Sequence, residues 1–142
     1  MSAIQSNVTQ GRLAFTADAD LTGKEMYLVK LTKSGADGKA EVTLPTDVAD
    51  WCQFVIVDVP EASYTAGDKV YVLPLSPDQN VRCIAAGAIT AGDSVVLSGT
   101  FGKVQTQPIA ADTYFRVGYA EEDATAGQYV LIRPAPATVV VT

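Results

Sequence analysis

Apolar and polar positions alternate with period two from Met26 onward. Tyr27, Val29 and Leu31 fall on one side of an extended chain, and Leu28, Lys30 and Thr32 on the other. After Ser34-Gly35-Ala36-Asp37-Gly38 a second alternation sets Ala40, Val42 and Leu44 against Glu41 and Thr43. Two such runs around a Gly/Asp/Ser cluster predict a β-hairpin. Pro45-Thr46-Asp47 then reads as a helix start, with Thr46 as N-cap for one or two turns reaching Trp51. It is the only segment with a helical signature.

Three stretches of the remaining chain share one plan: strand, short link, Thr-Ala-Gly-polar, strand. The turns are Thr65-Ala66-Gly67-Asp68, Thr90-Ala91-Gly92-Asp93 and Thr125-Ala126-Gly127-Gln128. Phe54-Val55-Ile56-Val57, Val81-Arg82-Cys83-Ile84 and Phe115-Arg116-Val117-Gly118-Tyr119 precede them. In each turn Gly67, Gly92 or Gly127 supplies positive φ, while Asp68, Asp93 or Gln128 can bond the turn backbone. The apolar runs 54–57 and 70–73 suggest strands covered on both faces. Pro74 and Pro134, which have no amide donor, are expected to end strands. Strands spaced about a dozen residues apart, with one short helix, predict an all-β domain, a small barrel or sandwich.

The two ends read differently. Residues 1–20 place the single apolar residues Ile4, Val8, Leu13 and Phe15 in a polar chain, the pattern of an arm ordered only against a partner. The body spans 21–134. Ala135-Pro136-Ala137 reads as a stiff spacer, and Thr138-Val139-Val140-Val141-Thr142 as a strand-like tail. Such a tail must add to a sheet edge, in its own chain or on a neighbour.

Composition narrows the chemistry. The chain has 142 residues, ten Lys plus Arg against sixteen Asp plus Glu, a net charge of −6 and no His. Dispersed cations on an acidic chain argue against nucleic-acid binding through phosphates. Without His, the commonest zinc ligand and general base are missing. Cys52 and Cys83 lack CxxC spacing and read as buried reduced thiols. No secretory signal is expected from the first residues, and no apolar run approaches the about 20 residues of a membrane helix. Glu121-Glu122-Asp123 lacks the loop of a calcium site and reads as a solvated turn. Asp18 and Asp20 have no third ligand nearby. Arg82 and Arg116 lie within strands, and the six tyrosines are spread over separate segments. Trp51 reads as core or subunit interface. No catalytic, cofactor or metal site is expected, and the chain does not read as an enzyme.

The stretch from Ala86-Gly87-Ala88-Ile89-Thr90-Ala91-Gly92-Asp93-Ser94-Val95-Val96 to Gly102-Lys103-Val104 resembles the signature of tailed-phage capsid cement (decoration) proteins. Val117-Gly118-Tyr119-Ala120 and Ala126-Gly127-Gln128 occupy the places of that family's next strand and turn, with Gln128 where Asp is usual. Val57-Asp58-Val59 and Ala66-Gly67-Asp68-Lys69-Val70 resemble its preceding unit. The resemblance covers roughly 21–133. It implies a β-rich virion protein, made in the host cytoplasm, that binds the outer surface of the assembled head as a homotrimer. There it would bridge subunits of the major capsid protein and stabilise the shell, without cofactor, membrane or nucleic acid. On this reading Ile4, Val8, Leu13 and Phe15 face the capsid, and Val139, Val140 and Val141 contact an adjacent subunit. The alternative is a virion-surface β-module that binds carbohydrate or a host surface through exposed tyrosines.

Overall fold

The computed structural model describes residues 13–34, 38–57 and 64–142. Among these residues ten strands form two five-stranded units. The first unit comprises β1 (Leu13–Ala17), β2 (Leu28–Ser34), β3 (Ala40–Thr43), β4 (Phe54–Ile56) and β5 (Lys69–Pro74). These close into a barrel in the order β1-β3-β2-β4-β5, with β5 returning to β1. The second comprises β6 (Val81–Ile84), β7 (Ser94–Leu97), β8 (Val104–Thr106), β9 (Asp112–Ala120) and β10 (Tyr129–Val141), ordered β6-β10-β9-β7-β8. A parallel bridge between Ala85 and Val104 brings its two edges together.

The second unit repeats the first, strand for strand in chain order. The β1/β5, β2/β3, β2/β4 and β4/β5 antiparallel pairs correspond to β6/β10, β7/β8, β7/β9 and β9/β10. The parallel β1/β3 pair corresponds to the Ala85–Val104 bridge. Individual hydrogen bonds repeat as well. Gly67 N–H donates to Ala17 O at 2.9 Å, and Gly127 N–H to Ala85 O at 2.8 Å. Leu21 N–H donates to Tyr64 O at 2.7 Å, and Ile89 N–H to Ala124 O at 2.9 Å. Met26 N–H to Ile56 O matches Gly92 N–H to Ala120 O. Met26 therefore stands where the other turns carry glycine, and it adopts φ 67°, a left-handed conformation that costs an L-residue about 1–2 kcal/mol.

The Thr-Ala-Gly-polar turns thus have a common task that their sequence neighbours do not reveal. Each clamps the end of a strand from elsewhere: residues 65–68 hold Ala17, 90–93 hold Ala120, and 125–128 hold Ala85. All three alanines are buried. The polar fourth residue closes each turn, Asp68, Asp93 and Gln128 accepting the amide of Thr65, Thr90 and Thr125 at 2.9 Å. The β6 and β7 segments flank one turn in sequence yet pair with β10 and β9, not with each other.

The closed first barrel and the second sheet, curled into a second barrel only through the Ala85–Val104 bridge, are fused along β2 and β4. Val29, Phe54 and Ile56 pack into the core of the first barrel with Ala17, Leu21, Val42, Val70 and Val72. Leu28 and Val55 point the other way, into the second core with Cys52, Cys83, Leu97, Phe115 and Ile132. This explains why β4 is apolar and buried at every position: each face lies in a different core. At β5 the same expectation fails, since Tyr71 is exposed between buried Val70 and Val72. The joint is tight. Leu28 N–H donates to Gly102 O at 2.9 Å, and the Tyr27 ring lies where a Cβ on Gly102 would stand.

Three expectations change. Residues 46–51 form a turn, not a helix, and no helix occurs among the described residues. The Asp50 carboxylate accepts the Thr46 and Asp47 amides at 2.8 and 3.2 Å, and the Val48 carbonyl accepts Phe115 N–H at 2.8 Å. The Val48 carbonyl, which a helix would offer to the Cys52 amide, is thus taken by a distant strand, whereas the Thr46 and Asp47 amides are first-turn donors that a helix would leave unpaired in any case. Residues 13–20 belong to the body: β1 pairs with β5, and Phe15 packs on Phe54 at 5.1 Å between ring centroids. Finally, Pro134 does not end a strand. It sits opposite Gly118 where the register shifts, and β10 runs on through Pro136 to Val141.

Candidate functional site

The feature the barrels do not need is the far half of the β9/β10 ribbon. In the first barrel the equivalent pair, β4/β5, ends at Phe54 opposite Pro74, with one further bond from Leu75 N–H to Gln53 O. In the second, pairing continues past the bulge through Ala137–Arg116, Thr138–Phe115, Val139–Tyr114, Val140–Thr113 and Val141–Asp112. The tail expected at 135–142 is thus a strand, locked along one edge to its own chain.

The base of this ribbon is fixed by several contacts. Gly118 allows close backbone approach: a Cβ there would lie 2.0 Å from Arg133 O. Arg116 Nε donates to Ala135 O at 3.0 Å across the bulge, and its Nη1 to Tyr119 Oη at 2.9 Å. The turn at 46–51 buttresses one side. Trp51 lies 5.0 Å from Phe115 between ring centroids, and its indole N–H donates to Thr138 Oγ1 at 2.9 Å. Apolar groups face solvent here, with Trp51 46% and Val140 65% exposed, and Ile109 in the β8–β9 connection 98% exposed. Sequence reasoning named Trp51 and the three valines separately. Their juxtaposition depends on a contact between residues 87 apart.

The sequence-singled residues distribute as follows. Leu13 and Phe15 are packed against the first core, while Ile4 and Val8 lie outside the described residues. Gly67, Gly92 and Gly127 take φ of 94°, 93° and 84° in the clamping turns. The acidic stretch is engaged locally: Glu121 meets Arg133 at 3.2 Å, Glu122 accepts Leu131 N–H at 3.0 Å, and Asp123 accepts Ala91 N–H at 2.8 Å. Asn80 also donates to Glu121. Arg82 lies 4.0 Å from Glu122. Asp20 accepts the Thr22 amide at 3.0 Å, and side-chain and backbone bonds from Thr22 hold its carboxyl below the usual range. Asp93 is likewise held low by the Thr90 amide and the Thr106 hydroxyl. Among the described residues no group of three or more His, Cys, Asp or Glu could hold a metal.

The tyrosines do not assemble into one platform. Tyr64 and Tyr114 are buried, Tyr27 is half-buried against Gly102 at the joint, Tyr71 lies on the first barrel, and Tyr119 and Tyr129 lie on the second. Both thiols are free and buried. Burial pushes the Cys83 thiol up to about 12 and raises that of Cys52 as well, so neither presents a reactive thiolate at neutral pH.

No family model matches this chain, and no curated protein matches it either. Among solved structures it is similar to the N base of the head fiber gp8.5 in bacteriophage phi29. That match has a TM-score of 0.60 and 22% identity, and covers 89% of this chain and 95% of the other. The shared feature is the fold, over nearly the full length of both chains.

Proposed function

We propose that this protein is an accessory protein of a tailed-phage head, seated on the outer surface of the shell. There it acts as a cement protein, bridging subunits of the major capsid protein as a homotrimer. The observation that carries the reading is the likeness in fold to the base of a phage head fiber across 89% of the chain. The resemblance of the Ala-Gly-Asp turns and the Gly102-Lys103-Val104 hairpin to cement-protein signatures supports it independently. So does the construction of the body, a closed barrel and a second five-stranded sheet with separate apolar cores, whose clamping turns are closed by Asp68, Asp93 and Gln128.

The capsid contact falls to the N-terminal segment. Leu13 and Phe15 are engaged in β1, so Ile4 and Val8 remain as anchors that insert while the segment adds along a capsid strand edge. Several weak attachments per assembly then sum to firm binding. The test is co-sedimentation with undecorated capsids. Full-length protein pellets in saturable, stoichiometric amounts, and a variant lacking residues 2–11 keeps its melting temperature but stays in the supernatant. Failure of the full-length chain to bind overturns the function, and saturable binding by the truncated form overturns the role of the segment.

A further inference from the structure

The β10 strand has 13 residues, but its two edges are covered unequally. One edge pairs with β9 from Ile132 to Val141, with a register shift between Pro134 and Ala137, while the other pairs with β6 only from Tyr129 to Ile132. Among the described residues, no element other than β9 makes a backbone hydrogen bond to residues 137–141. The devices that blunt an edge, Pro134, Pro136 and the bulge, all sit at the base of this stretch. Beyond them the strand is uncharged, β-branched and exposed at Val140. A two-stranded ribbon alone is marginal in water, so this geometry calls for a third strand.

The sequence identifies that strand. Thr138-Val139-Val140-Val141-Thr142 reads the same in both directions. Paired antiparallel with itself about Val140, it sets Val140 opposite Val140, Val139 opposite Val141 and Thr138 opposite Thr142. β-branched and Thr–Thr cross-strand pairs of this kind are favourable, and no like charges face each other. We infer that the free edge of β10 is a two-fold strand-addition site for the same edge of a second copy. The two ribbons join as one sheet, β9-β10-β10-β9, an isologous contact. Trp51, hydrogen-bonded to Thr138, borders the seam. On a shell the contact would tie neighbouring trimers together in pairs. It does not rest on the capsid reading and is tested without capsids.

Because Cys52 and Cys83 are buried and unreactive, a single introduced cysteine reports the contact. Directly opposed Cβ atoms lie roughly 4.5–5.5 Å apart, close to disulfide range. V140C should form a disulfide dimer under mild oxidation at least about tenfold faster than T125C, an exposed control on a turn. V139C and V141C, mixed, should link to each other faster than either links to itself. In sedimentation, Val140→Pro should lose the two-fold association while keeping the wild-type melting temperature within a few degrees. Val140→Lys checks the result should the proline variant unfold. Equal cross-linking rates for V140C and T125C overturn the inference, as does unchanged association of folded V140K.

Discussion

Gly118 offers a direct test of how the ribbon is held. It faces Pro134 across the β9/β10 pair, at the register shift. A Cβ placed there would lie 2.0 Å from Arg133 O, 2.9 Å from Arg133 C and 3.0 Å from Ala135 N. Ordinary C···O contacts fall at about 3.3–3.6 Å, so the strands must part by more than 1 Å locally, or about 1.3 Å by difference. Every group in the way is backbone, fixed by the ladder and by the Arg116 bond to Ala135 O. No side chain can simply rotate aside. Overpacking costs about 1–3 kcal/mol, and a clash with two strands places Gly118→Ala near the top, at about 3 kcal/mol. For a chain of this size that lowers Tm by about 10 °C. Circular dichroism melting measures it, with Gly99→Ala and Gly87→Ala as controls. Those glycines have no atom within 4 Å of a built Cβ and no positive φ, so alanine there should be neutral or slightly stabilising. If Gly118→Ala melts within about 1 °C of wild type, the close-approach argument is wrong.

Three further outcomes follow from the same geometry. Gly102→Ala meets both a φ of 93° and the Tyr27 ring 2.6 Å away; it should cost about 2 kcal/mol, seen as a lower urea midpoint at unchanged m, whereas a wild-type midpoint would deny the joint its tightness. Met26→Gly relieves a left-handed residue at a position where the other clamping turns carry glycine. It should raise stability by up to about 1 kcal/mol, and a lower Tm would show that the Met26 side chain is needed more than the conformation costs. Burial pushes the Asp50 carboxyl upward, but hydrogen bonds from Lys30 and the Thr46 amide and the Lys30 charge outweigh it, leaving its pKa below the ordinary value. A depressed folded-state pKa gives stability that is present above about pH 4 and lost as pH falls through the folded value. Asp50→Ala should therefore destabilise by about 2 kcal/mol at pH 7 and by progressively less on acidification; a pH-independent difference would contradict this.

The sequence carried what depends on local chemistry. Period-two alternation announced an all-β chain, the Ser34–Gly38 cluster a hairpin, and Gly67, Gly92 and Gly127 the sharp positive-φ turns, which the strands and backbone angles reproduce. Local φ preference and side-chain alternation reside within a few residues, so they can be read there. Partnership could not be read this way. That Thr90–Asp93 grips Ala120, that Leu28 and Val29 enter different cores, and that β6 shuns β7 follow from closing two barrels around a shared wall. The missing helix at Thr46 has the same origin, since a distant strand claimed the Val48 carbonyl. The duplication itself is hidden because its first instance carries Met26 where the second has the turn glycine Gly92. Tertiary closure enforces that backbone path, and residue-level propensity only favours it. The valines near the C-terminus reveal the rest: their sequence demanded a sheet edge, and only the packed ribbon showed one edge filled by β9 and the other, among the described residues, without a strand.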